Sequence, residues 1–198
     1  MKKTLIFLTY LMTISFVLDK VVYYAISSAS KKVFSGQSVG KVNHYLQVKD
    51  NKTLTSLFSK LLENKGIVTN KDISIIVTSI KERATFVSDL WKQGNFFFEA
   101  PTEYDEKASK KVFKEGTCEI MTKVLGLLNE CNEFTSDEVS RRVKEWLTSQ
   151  EIGFGKVMMP LRLSLVGEMK GPDVFNIAAI LGKKETISRV QKTISFLS

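Results

Sequence analysis

From Asn43 onward the apolar residues of this chain recur at intervals of three and four, with no convincing alternation in the two-residue period of a half-buried strand. Such a chain has to fold as a stack of amphipathic helices. Leu54, Leu57, Phe58, Leu61 and Leu62 form one stripe that ends at Gly66, and Asn70 is placed to cap the next helix. Ile73, Ile76 and Ile80 continue on one face, followed by Phe86, Leu90, Trp91 and the run Phe96-Phe97-Phe98, until Ala100-Pro101 stops the helix. Further helices are expected over 104–114 and 117–128. Thr135 with Glu138 three residues on reads as a capping box, opening a helix whose core face is Val139, Val143, Trp146 and Leu147. The final helix, after Gly182, presents Ile187, Val190, Ile194 and Leu197.

Residues 155–175 break this regularity. A glycine-flanked entry at Gly155-Lys156 leads into an apolar segment carrying one arginine, Arg162, with Val157, Leu161 and Leu165 as its core positions. The segment breaks at Gly167 and restarts at Gly171-Pro172, with Pro172 suited to the first turn of a short helix because its missing N–H would be unpaired there. An arginine so placed either bridges two helix ends or offers a planar fork of donors to a ligand. The spacing leaves both readings open.

Charge bears on the ligand. The 198 residues carry a net charge of +8, and from Val139 to Ser198 ten basic side chains face five acidic ones, which places five of those charges in the last third. An excess of this kind suits a polyanion such as RNA, with lysines and arginines meeting phosphates and a few planar groups meeting unstacked bases. Arg141, Arg142, Lys156 and Lys170 are candidate phosphate contacts, against the plainer reading of a solvated face. The turn Gly171-Pro172-Asp173-Val174 is a candidate source of backbone groups and an apolar shelf for a splayed base. One histidine, His44, leaves no material for a histidine metal cluster or a Ser-His-Asp triad. Cys118 and Cys131 lack the spacing of a zinc site and are expected as packed, reduced thiols. No catalytic residue, metal site or cofactor is assigned to the chain.

The first 41 residues differ in kind. Met1-Lys2-Lys3 precedes an apolar run over 4–18, closer in length to the core of a signal peptide than to a spanning helix. A buried apolar helix and a start foreign to the natural protein are the other readings. Ser28-Ala29-Ser30 offers small residues for cleavage, and 20–42 reads as a linker.

Six segments, in order, then resemble one family. They are Val42-Asn43-His44-Tyr45-Leu46-Gln47, Lys81-Glu82-Arg83-Ala84-Thr85-Phe86, Phe97-Phe98-Glu99-Ala100-Pro101-Thr102-Glu103-Tyr104-Asp105-Glu106-Lys107, Gly155-Lys156-Val157-Met158-Met159-Pro160-Leu161-Arg162, Gly171-Pro172, and Leu181-Gly182-Lys183-Lys184-Glu185-Thr186. Over roughly 155 residues the chain resembles the C-terminal anticodon-binding region of bacterial glutamyl-tRNA synthetases, discriminating or non-discriminating.

The resemblance implies an all-α fold, the two-part helical cage of a class I aminoacyl-tRNA synthetase, with a first subdomain over 42–101 and a second over 102–198. It implies that Arg162 reads an anticodon base, that Gly171, Pro172 and Val174 contact the anticodon, and that Arg83 does so too. His44 falls at a structural position near the boundary with a stem-contact domain. The family's catalytic domain, with its His-Ile-Gly-His and Lys-Met-Ser-Lys-Ser motifs, ATP and magnesium, has no counterpart here, and Ser30-Lys31-Lys32 is too short to be the second motif. The expectation is therefore a cytoplasmic tRNA-binding module, with glutamate tRNA as partner, from a glutamate–tRNA ligase whose catalytic domain is missing. The apolar run at 4–18 supports one alternative, a membrane-anchored or exported helical interaction protein that binds no RNA.

Overall fold

A computed structural model describes residues 50–198, all within one compact unit. The apolar run at 4–18, the cleavage candidate at 28–30, the linker at 20–42, His44 and the family-like segment 42–47 lie outside the described residues. Among those described the protein is entirely helical, as the apolar spacing predicts. None of these helices is long and apolar enough to cross a membrane.

Helix α1 (Asn51–Asn64) buries Leu54, Phe58 and Leu62, four residues apart on one face. It ends where the Ile67 amide turns back to the Leu62 carbonyl at 3.0 Å, which lets Ile67 pack on the core. Helix α2 (Ile73–Ile80) is capped by Asp72 rather than by the expected Asn70: the carboxylate accepts from the amides of Ser74 at 2.8 Å and Ile75 at 3.3 Å. A carboxylate also complements the positive end of the helix, which a neutral Asn does less well. A 3₁₀ turn, Lys81–Arg83, leads to α3 (Val87–Gly94), and a second, Asn95–Phe97, buries Phe96 and Phe97.

Six helices follow: α4 (Glu106–Val112), α5 (Thr117–Glu130), α6 (Ser136–Ser149), α7 (Gly155–Val166), α8 (Val174–Leu181) and α9 (Lys183–Leu197). Helices α1, α2 and α3 pack on one another, while α9 lies across α5 and α7, and α8 lies against α6, α7 and α9. Buried apolar residues run from Leu54 to Val190 as one connected cluster, so both helical groups share a core. Cys131 belongs to it and Cys118 lies nearer the surface, both as free thiols.

The groups are joined at residues 95–105. Lys192 Nζ donates to the Pro101 carbonyl at 3.1 Å, the Tyr104 hydroxyl bonds Thr193 Oγ1 at 2.9 Å, and the Asp105 amide donates to the Gly167 carbonyl at 2.8 Å. Arg189, on the inner face of α9 and 4% exposed, is the deepest of these ties. Its Nη1 donates to the carbonyls of Phe96, at 2.8 Å, and Leu165, and its Nε meets Glu185 at 2.7 Å. Burial holds the guanidinium pKa below its ordinary value, opposed by the hydrogen bond and charge of Glu185. Thr186 and Thr193 are buried beside it, so α9 carries a polar stripe where apolar spacing suggested a plain hydrophobic face. The expected Val190 is fully buried, and Ile187 and Ile194 pack at the edge of the core.

Gly167 ends α7 at φ +82°, where a Cβ would stand 2.8 Å from Pro101 Cβ and 2.9 Å from the Glu103 carbonyl. Arg189→Met should lower unfolding free energy by about 2–5 kcal/mol, because two buried carbonyls lose their donor. Gly167→Ala should cost more than about 1 kcal/mol through backbone strain and the clash. Urea denaturation followed by circular dichroism measures both, and native stability in either variant contradicts this account of the junction.

Candidate nucleic-acid interface

Helix α7 is buried on nearly every side. Val157, Leu161, Leu163, Ser164 and Leu165 are all at 0% exposure, so the three core positions expected on this helix are core and two more join them. In its second half, from Pro160 to Val166, Arg162 is the exception. It sits half-buried and reaches the loop between α7 and α8, where Nη1 donates to the carbonyls of Lys170 at 2.9 Å, Gly171 at 3.3 Å and Pro172 at 2.7 Å. A single nitrogen thus gathers three acceptors. Among the described residues Nε and Nη2 have no hydrogen-bond partner, so the other edge of the planar fork is uncommitted.

Both readings of Arg162 therefore meet in one side chain: it bridges a helix to a loop, and it retains donors. Burial lowers its pKa, Asp173 opposes that shift, and the positive charge of Arg83 adds to it. Arg83, exposed on the 3₁₀ turn of the first helical group, is thus within electrostatic reach of Arg162 on the second. Two candidate residues 79 positions apart in sequence thus feel one another's charge.

The loop is built tightly enough to hold this geometry. Gly171 has φ +96°, and a Cβ there would lie 3.2 Å from Phe96 Cζ and 3.3 Å from Ile177 Cδ1. Asp173 caps α8, accepting from the amides of Phe175 at 2.9 Å and Asn176 at 3.2 Å. Pro172 accordingly stands before the cap and not in the first turn of the helix. Its side chain is buried, and Val174 is 2% exposed. The apolar shelf expected of this turn is not formed by either side chain, since both face the core. The loop carbonyls are spent on Arg162.

The four candidate phosphate contacts divide. Arg141 donates through Nε and Nη2 to Glu138 and through Nη1 to both oxygens of Glu145, at 2.8 to 3.0 Å, while Arg142 Nε donates to Glu138 Oε1 at 2.5 Å. Two arginines and two glutamates thus cancel on α6. Lys170 pairs with Glu168 at 3.0 Å. Lys156 is exposed, and its ammonium has no hydrogen-bond or ion-pair partner among the described residues. The expected capping box is half made: Thr135 Oγ1 accepts from the Glu138 amide at 3.2 Å, but the Glu138 carboxylate serves the arginines instead.

Other polar anchors escaped the reading of the sequence. Lys183 Nζ donates at 2.8 Å to the carbonyls of both Asn129 and Cys131, closing the end of α5. Arg189 is one of the ten basic residues of the charge count, and its place between Thr186, Val190 and Thr193 puts it on the inner face of an amphipathic helix.

Comparison with known proteins identifies the class. The family described as an anticodon binding domain matches residues 40–194, and the chain belongs to it. The chain is 50% identical over 155 residues to a glutamate–tRNA ligase of Christiangramia forsetii, and 51% identical over 157 residues to that of Flavobacterium psychrophilum. In both comparisons 78% of this chain and 31% of the relative are covered, so the match spans about a third of those proteins' length. The crystal structure of a glutamate tRNA ligase from Elizabethkingia meningosepticum, in complex with its amino acid, superposes with a TM-score of 0.74 at 40% identity, covering 79% of this chain and 31% of that one.

The Glu138 carboxyl is held below its usual pKa by hydrogen bonds from Arg141 and then Arg142. A depressed carboxylate pKa adds stability above its unfolded value and loses it as pH falls through the folded one. Glu138→Gln should therefore lower the thermal midpoint at pH 7, and the gap to wild type should close on acidification below about pH 4. A gap that does not shrink at all as pH falls below the ordinary glutamate range contradicts the ion-pair account.

Proposed function

We propose that this chain binds the anticodon loop of a tRNA, glutamate tRNA being the expected partner, through the surface on which Arg83 and Arg162 meet. The observation that carries the reading is the Arg162 fork, fixed on three carbonyls with one edge uncommitted and within reach of the charge of a second arginine, in a chain of the anticodon-binding family. Held this way, the guanidinium loses little freedom on meeting a base, which is what preorganised recognition requires. Its Nε–Nη2 edge presents two parallel donors, suited to a base edge with two adjacent acceptors.

Gly171, Pro172 and Val174 contribute by shape: they place the loop and the N-terminus of α8. Lys156 is the strongest phosphate contact of the four candidates, because meeting RNA costs it no internal ion pair. Arg141, Arg142 and Lys170 are exposed or half-exposed in their pairs, and solvent-screened pairs of this kind hold weakly, so phosphate can compete for them.

Glutamate specificity rests on the names of the relatives. Aminoacylation in those proteins belongs to chains about three times as long, and ATP and magnesium are assigned to a catalytic domain that this chain would need as a partner. A cytoplasmic location follows from a tRNA ligand.

Arg162→Ala would release the loop as well as the donors, so the informative variants are Arg83→Ala and Arg162→Lys. Arg83→Ala should weaken binding of a glutamate anticodon stem-loop by about 1–3 kcal/mol, roughly 5- to 150-fold, with an unchanged thermal midpoint. Arg162→Lys should weaken it comparably, because a point charge cannot replace a planar fork. Filter binding checks both, and unaltered affinity in the two variants contradicts the reading.

A further inference from the structure

Capping α8 occupies only half of the Asp173 carboxylate. Oδ1 accepts both helix amides, from Phe175 at 2.9 Å and Asn176 at 3.2 Å, while Oδ2 accepts no hydrogen bond among the described residues and the side chain is exposed. An Asn or a Ser caps a helix about as well through a single oxygen, so the cap does not require Oδ2. The other acidic residue of the loop between α7 and α8 differs in this respect: Glu168 is paired with Lys170 at 3.0 Å.

The backbone places Asp173 beside Arg162. Arg162 Nη1 lies 2.7 Å from the Pro172 carbonyl oxygen, and in a planar trans peptide that oxygen is on the same side as the Cα of the next residue, Asp173. The guanidinium and the carboxylate thus flank one peptide unit, and the arginine feels the charge of the aspartate. No hydrogen bond or ion pair joins them. Each is held elsewhere, Nη1 by three carbonyls and Oδ1 by two amides. Left open on neighbouring side chains are a donor edge, Nε and Nη2, and an acceptor, Oδ2. A ligand that accepts toward the arginine and donates toward the aspartate can bridge the two.

We infer that Arg162 and Asp173 together select cytosine at the loop position they meet, with Asp173 as the specificity-determining acceptor. This rests on the proposed function and names the base. The Watson–Crick edge of cytosine carries in one row what the two side chains require: O2 and N3 accept from the arginine edge, and the 4-amino group donates to Oδ2. Uracil sets N3–H against the arginine donors and O4 against the carboxylate, which is two mismatches. Adenine has a single acceptor beside its amino group. Guanine has adjacent acceptors in O6 and N7, but its donors lie on a different edge. Asp173 adds discrimination rather than overall affinity, because its charge repels phosphate.

The test titrates the full chain, by filter binding, with glutamate anticodon stem-loops in which each loop position is in turn cytosine or uracil. In wild type one position should favour cytosine by about tenfold or more. Asp173→Asn keeps an oxygen for the two amides, so the thermal midpoint should stay near wild type, and it sets an amide NH2 where Oδ2 stood. A donor then faces the cytosine amino group and suits O4 of uracil. At that position the preference should fall by about tenfold or more, with the other positions responding as in wild type. Losing a negative charge strengthens binding of every loop alike, so the cytosine-to-uracil ratio is the readout. Asp173→Ser, which caps through its one oxygen, should lose the preference without the gain for uracil. If both variants keep the wild-type ratio while Arg83→Ala still weakens binding, Asp173 is a cap alone: the proposal is overturned and the anticodon reading stands. Wild type that binds the stem-loops with no cytosine preference at any position overturns it too. If wild type binds none of the stem-loops, both readings fall.

Discussion

One buried guanidinium holds the two helical groups in register. Arg189 takes a positive charge into a core that is otherwise almost wholly apolar, and that is tolerable because its donors meet the backbone carbonyls of Phe96 and Leu165 and the carboxylate of Glu185. The carbonyls come from different parts of the fold. Phe96 lies in the 3₁₀ turn that closes the first group, and Leu165 in the last turn of α7. A hydrophobic residue in its place would pack as well and would lose the direction. Hydrogen bonds to carbonyls fix angle and distance, and the rest of the interface follows from that fixation.

Arg162 repeats the device nearer the surface, with a different outcome. Both arginines place Nη1 on main-chain carbonyls. Arg189 commits its Nε to Glu185, whereas Arg162 has Asp173 nearby and no hydrogen bond from Nε or Nη2 among the described residues. The buried arginine is a tie, and the half-buried one is a tie with a free edge. Since Phe96 touches both the Arg189 donor and the Gly171 loop, the register set by the first arginine is passed to the second through one residue.

Periodicity made the fold legible because amphipathic helices declare their buried faces. Leu54, Phe58 and Leu62, or Val139, Val143 and Leu147, needed no structure to be placed. Caps were harder. Asn70 and Asp72 are both good N-caps by type, and Glu138 suited a capping box until Arg141 and Arg142, on its own helix, competed for it. Around the candidate site the sequence pointed to Arg162, Arg83 and the glycine loop; the structure ties Arg162 to the loop by hydrogen bonds and leaves Arg83 within reach of its charge. It could not show that Pro172 and Val174 face inward, because a turn between two helices has no period from which to infer a side. Nor does charge counting distinguish Lys156, unpaired, from Arg141, neutralised by two glutamates.

Whether bases are recognised, beyond a polyanion being attracted, is the central question, and the net charge of +8 means that some RNA binding is expected in any case. The most direct measurement is a fluorescence-anisotropy titration of the chain, over a range of salt, with a glutamate anticodon stem-loop and with the same stem closed by an unrelated tetraloop. Base contacts add affinity that phosphates do not, so the anticodon loop should bind at least about tenfold more tightly, and the advantage should persist as salt rises. Equal affinities with the same salt slope would reduce the interface to a basic surface and contradict the account.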